Sequence, residues 1–108
     1  MKDAQIYDLD VTCDESHVIC CGASLKQQGK NYSEAIVTAV KFDKTLKIRD
    51  EVILSQYKVQ AATSMKRVPD SDHFILGCFK SMIILYFDGN KFEFVNIIED
   101  IHSSNFSF

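Results

Sequence analysis

The residues with the most reactive side chains in this chain are three histidines, His17, His73 and His102, and four cysteines, Cys13, Cys20, Cys21 and Cys78. A metal centre or a general base needs such groups converging on one point with partners in reach. His17 and His73 instead occupy matching places, each directly after an acidic turn (Cys13-Asp14-Glu15-Ser16 and Asp70-Ser71-Asp72). Repeated placement points to a repeated structural role at a strand entry. Cys20 and Cys21 are adjacent on a strand-like run, where neighbours point to opposite faces, so both cannot hold one metal ion. The cysteines show no C-x-x-C pair and read as reduced, buried small hydrophobes.

Asp70-Ser71-Asp72 opens like a calcium loop, but neither the Gly at position six nor the Glu at position twelve follows. The pairs Asp14-Glu15 and Glu99-Asp100 read as solvated turn carboxylates. Gly29-Lys30 has no upstream glycine of a phosphate-binding loop, and neither Gly-x-Ser-x-Gly nor His-Glu-x-x-His occurs. The expectation is a protein without catalytic residues, cofactor or bound metal.

Composition bounds the rest. The 108 residues, 46% hydrophobic and 25% charged, suit one globular unit with a modest core. A net charge of −3, with Lys66-Arg67 the only adjacent basic pair, argues against affinity for nucleic acid or anionic membranes. The N-terminus lacks the apolar core of a signal peptide, and no apolar run is long enough to span a bilayer as a helix. A cytoplasmic location is the expectation.

Period-two alternation and turn chemistry predict strands. The stretch 73–98 reads as three: 73–80, 82–88 and 91–98, broken only at Lys80-Ser81 and Gly89-Asn90. Such short breaks demand an antiparallel meander. Upstream, residues 4–12 alternate, with Tyr7, Leu9 and Val11 on one face and Asp8 and Asp10 on the other, as in a half-exposed strand. Residues 17–25 are apolar throughout, as in a strand covered on both faces. Residues 26–34 form a polar loop, 35–43 a β-branched strand, and 46–49 a fourth strand with Leu46 and Ile48 on its apolar side. Residues 51–57 read as a connection and 59–67 as a weaker strand. Val68-Pro69-Asp70-Ser71-Asp72 is the strongest turn signal. A capped helix starting at Ser33 is the competing reading, opposed by the crowding of Ile36, Val37, Thr38, Val40 and Phe42.

The halves repeat. Residues 13–22 match 69–78 at an offset of 56, aligning His17 with His73. Residues 35–48 match the stretch 81–94, with Phe42-Asp43 set against Phe87-Asp88 at an offset of 45. The difference between the offsets is the 26–34 loop. Four antiparallel strands per period of about 45 residues is the mark of a β-propeller blade. The spans are about 4–54 for the first unit and 57–99 for the second, with 101–108 the start of a third.

In this order and spacing the chain resembles the WD-repeat family of propellers in a degenerate form. Phe42-Asp43 and Phe87-Asp88 stand where that family ends its third strand in Trp-Asp. His102 is similar in placement to the family's histidine before the next innermost strand. The histidine is missing from the first copy, and Lys80-Ser81 replaces the usual Asp that binds it. The resemblance implies an all-β fold of about two blades plus a trailing strand, part of a larger propeller or of one completed by association. It implies a protein-interaction scaffold whose partners are other protein chains or further blades, with self-association through open blade edges. The segment that departs from the repeat is the expected recognition loop, with Lys26, Gln27, Gln28, Lys30, Asn31 and Tyr32 as partner-binding residues. A small closed β-barrel enclosing an apolar ligand is the alternative.

Overall fold

The structure, a computed structural model, describes residues 4–24, 34–54 and 60–99. Eight strands follow one another: β1 (Ala4–Val11), β2 (His17–Ser24), β3 (Ala35–Lys41), β4 (Ile48–Ile53), β5 (Ser64–Arg67), β6 (His73–Cys78), β7 (Ser81–Phe87) and β8 (Phe92–Ile98). They form two four-stranded antiparallel sheets, ordered β1-β2-β3-β4 and β5-β6-β7-β8. The described residues contain no helix, so none is available to cross a membrane. Residues 35–41, where a helix competed, pair with both β2 and β4. The barrel alternative is overturned: both sheets are open, and no ladder among the described residues joins β4 to β5 or β8 to β1.

Short polar side chains set the turns. Asp14 Oδ1 accepts from Ser16 N at 3.0 Å and from the Ser16 and Thr12 hydroxyls at 2.6 and 2.9 Å. Asp43 Oδ1 accepts from Thr45 N at 2.8 Å and Leu46 N at 3.2 Å, and Asp88 Oδ1 from Asn90 N and Lys91 N, both at 2.7 Å. Such aspartates mimic a backbone turn. The two β1–β2-type turns also match: Thr12 N donates to His17 O at 3.0 Å, and Val68 N to His73 O at 2.9 Å.

The Asp43 turn corrects the expected fourth strand at 46–49. Leu46 is held in the left-handed region at φ 49°, and regular pairing begins at Ile48. Residues 51–53, expected in a connection, pair with 36–38. The weak strand expected at 59–67 is regular only from Ser64 to Arg67.

The register defines the faces. On one face of the first sheet lie Asp8, Cys21, Val37 and Val52, with Asp10, Ile19, Ala39 and Asp50 in the next row. On one face of the second lie Met65, Leu76, Ile83 and Ile97, with Arg67, Phe74 and Leu85 beside them. The apolar members of these rows form one buried cluster, so these are the faces that meet. β7 shows the alternation cleanly, with Ser81, Ile83, Leu85 and Phe87 buried and Met82, Ile84 and Tyr86 half-buried. Burying side chains of this size contributes roughly 1.5–3 kcal/mol each.

Here β1 reverses the expectation. Its aspartates face the other sheet, and its apolar side looks outward, with Leu9 59% exposed. The repeat explains why. Met65, Phe74, Leu76 and Leu85 correspond to Leu9, Val18, Cys20 and Val40, which share the outward face of the first sheet. The second sheet therefore buries the face whose counterpart in the first sheet looks outward, where Leu9 and Ile48 are exposed while Ile36 and Thr38 are buried. The two sheets thus pack through faces that are not equivalent in the repeat. Phe87 is 1% exposed while its counterpart Phe42 is 62% exposed.

Candidate functional site

Three aspartates bind the two sheets. Asp8 Oδ1 accepts from Leu9 N at 2.8 Å while its Oδ2 accepts from Met65 N at 2.9 Å. Asp10 does the same with Val11 N at 2.8 Å and Arg67 N at 3.1 Å. Asp50 does so with Glu51 N at 3.0 Å and Phe92 N at 2.8 Å. Each carboxylate spends one oxygen on its own strand and one on the neighbouring sheet. Met65 and Arg67 lie on the edge strand β5, whose outward amides would otherwise lack a partner. Asp72 Oδ1 adds a link in the other direction, accepting from Cys13 N at 2.7 Å. Ala62 N donates to Gly22 O at 3.1 Å, so the second sheet's approach also uses backbone.

From sequence, Asp8 and Asp10 read only as the polar face of the first strand, Asp72 only as part of an acidic turn, and Asp50 has no assigned role. The signal that was available is the presence of two acidic residues on the same side of a strand that begins a repeat.

The histidines play matching parts. His17 is buried, with Nδ1 2.8 Å from Ser16 Oγ, and His73 Nδ1 is 2.8 Å from Ser71 Oγ. His17 meets Phe87 of the other sheet edge-on at 5.0 Å, whereas His73 lies 4.9 Å from Tyr86 of its own sheet. Burial, with Arg49 and Lys41 nearby, pushes the His17 imidazole below its ordinary value. Its Nε2 has no hydrogen-bond partner among the described residues. This is a neutral packing histidine between sheets. His102 lies outside the described residues.

Cys21 and Cys78 are buried, and burial pushes both thiols up to about 12. They are poor nucleophiles at neutral pH. Cys20 is half-buried and points to the opposite face from Cys21. Cys13 corrects the expectation of four buried thiols: it is exposed, because it sits in the β1–β2 turn. No group of three or more His, Cys, Asp or Glu side chains among the described residues is placed to hold a metal ion.

Among the described residues, two surface features stand out. One is a cleft of about 320 Å³ lined by Lys41, Asp43, Thr45, Lys47, Ile48 and Arg49, with Lys41 Nζ paired to Asp43 at 3.6 Å. The other is the pair of open sheet faces, where Leu9, Phe42, Ile48 and Ile98 are exposed. Lys26, Gln27, Gln28, Lys30, Asn31 and Tyr32, the expected recognition loop, lie outside the described residues.

Comparison with protein-family models, curated proteins and solved structures found no match to the chain. The fold and surface themselves define a class: an all-β unit of two open four-stranded meanders packed on one another and tied by bridging carboxylates.

Proposed function

We propose that the chain supplies two blades of a β-propeller and acts as a protein-interaction scaffold without catalysis. One observation carries the reading: the sheets use opposite faces to meet, so each end of the stack presents what a further sheet of the same kind requires. Repeat units stabilise one another through such nearest-neighbour faces. The Phe42-Asp43 and Phe87-Asp88 pairs, equivalent in the turns they close, fit a degenerate WD-like pattern. The partners are other protein chains or further blades, with Lys26, Gln27, Gln28, Lys30, Asn31 and Tyr32 as the proposed partner-binding residues. A cytoplasmic location accords with four free thiols.

A tandem duplication of the chain tests the blade reading. Covering Leu9, Phe42 and Ile48 of the second copy adds burial that stabilises by several kcal/mol, at roughly 1.5–3 kcal/mol per fully buried side chain. The tandem is expected to melt in one transition about 10 °C above the single chain. Two independent transitions at the original temperature would refute propeller stacking.

A further inference from the structure

We infer that the edge strands of this protein are closed to strand addition by Asp and Asn side chains, so that no partner joins it by extending a sheet. The inference does not depend on the blade reading. Every Asp or Asn within a strand lies on a sheet edge: Asp8 and Asp10 in β1, Asp50 in β4 and Asn96 in β8. The four interior strands, β2, β3, β6 and β7, have none. All four side chains do the same thing. The Oδ1 atom accepts from the amide of the following residue: Leu9 N and Val11 N at 2.8 Å, Glu51 N at 3.0 Å and Ile97 N at 2.8 Å.

These amides point away from their sheets. Thr12 N donates across the β1–β2 pair to His17 O, and amide direction alternates along a strand, so Val11 N and Leu9 N point outward. The same count from Leu54 N, which donates to Ala35 O, turns Glu51 N outward from β4. Asn96 stands opposite Ile84 beyond the β7–β8 bulge, as Asp50 stands opposite Ala39 beyond the β3–β4 bulge. The fourth edge, β5, has no Asp or Asn of its own. Its outward amides, Met65 N and Arg67 N, are taken by the second oxygens of Asp8 and Asp10 at 2.9 and 3.1 Å. On each of the four edges, outward donors are therefore occupied.

The edges have reason to be closed. Ile6, Tyr7 and Leu9 on β1, and Phe94, Val95 and Ile98 on β8, are exposed. An apolar edge with free amides is a template for another strand. A strand arriving at β1, β4 or β8 must first displace a side chain already seated on the amide it needs. In β1 and β4 that side chain is a carboxylate whose other oxygen bonds the second sheet. In β8 it is a neutral amide, without the charge that strengthens the other bonds. Asn96 is exposed, so β8 is the edge where the cap can be removed without disturbing the link between the sheets.

Amide hydrogen exchange of the full chain, read by NMR from micromolar to submillimolar concentration, tests this. Asn96→Val removes the cap, Asn96→Asp keeps its acceptor oxygen, and circular dichroism checks that both variants stay folded. In dilute Asn96→Val, exchange at Ile97 is expected to accelerate about tenfold, as for the loss of one hydrogen bond. On concentration that amide is expected to regain protection as strands of different molecules pair, with larger species in sedimentation velocity. Wild type and Asn96→Asp are expected to show no concentration-dependent protection at Leu9, Val11, Glu51 or Ile97. Wild-type association that leaves these four amides unprotected is contact through other surfaces and upholds the inference. Protection of any of the four on concentrating the wild type overturns it, since strands would then be adding over the caps. So does an Asn96→Val chain whose Ile97 exchange is unchanged in dilute solution, or that gains no protection on concentration.

Discussion

Replacing Asp10 with asparagine isolates one bridging carboxylate. The side chain keeps its size but exchanges one acceptor oxygen for an NH2 donor. Asp10 serves two backbone donors, Val11 N at 2.8 Å and Arg67 N at 3.1 Å. Asparagine can serve only one, and either orientation aims an N–H at an N–H. The bond lost is charge-assisted, a class whose net contribution is about 1.5–3 kcal/mol. Arg67 is half-buried, so water recovers part of this, and a loss of about 2 kcal/mol is expected. With an unfolding entropy near 2.1 cal/mol/K per residue, a chain of this length melts roughly 9 °C lower. Calorimetry measures the shift, and amide hydrogen exchange locates it. Exchange at Arg67 should accelerate roughly thirtyfold, the equivalent of that energy. Exposed Asp70, changed to asparagine, is the control. An Asp10→Asn variant within a degree of wild type, with Arg67 exchange unchanged, would refute the bridging role.

Gly22→Ala tests the closeness of β1 and β2 at the β1 bulge. An added Cβ would run into the Gln5 carbonyl oxygen and lie 2.8 Å from Gln5 C, both backbone atoms that cannot rotate away. A loss of about 3 kcal/mol or more is expected in urea unfolding. Acid unfolding should proceed in two stages. His17 has a depressed value when folded, so the unfolded chain binds more protons just below its ordinary value, and stability falls as pH drops below about 6.5. Asp14 and Asp43, lowered to about 2 by their Ser16 and Thr45 partners, keep their stabilisation above 3.8 and lose it as pH falls toward 2. Urea midpoints from pH 7 to 2 should show both steps, and His17→Phe should remove the upper one alone.

The meander from His73 to Ile98 was legible because its breaks are only two and four residues long and its strands alternate. The matching turns at His17 and His73 were legible because the same short polar residues recur at one offset. What was not legible is which face of β1 is dry. Alternation supplies two faces, and the hydrophobic side is ordinarily the inner one. Here the inner face carries Asp8 and Asp10, since the neighbouring edge strand offers backbone donors for them to satisfy. That requirement belongs to β5, more than fifty residues along the chain, and no local pattern in β1 expresses it. The start of β4 was missed for a local reason: the Asp43 carboxylate captures Thr45 N and Leu46 N and holds out of the ladder residues that alternate like a strand.

The bridging carboxylates also impose a direction on assembly during synthesis. Leu9 N and Val11 N find acceptors within β1 itself. Met65 N and Arg67 N find theirs only on the first sheet. The N-terminal half is thus self-sufficient along its inner edge and the C-terminal half is a borrower. A ribosome releases the lender first. By the time β5 emerges, the carboxylates that Met65 N and Arg67 N use are already on the chain.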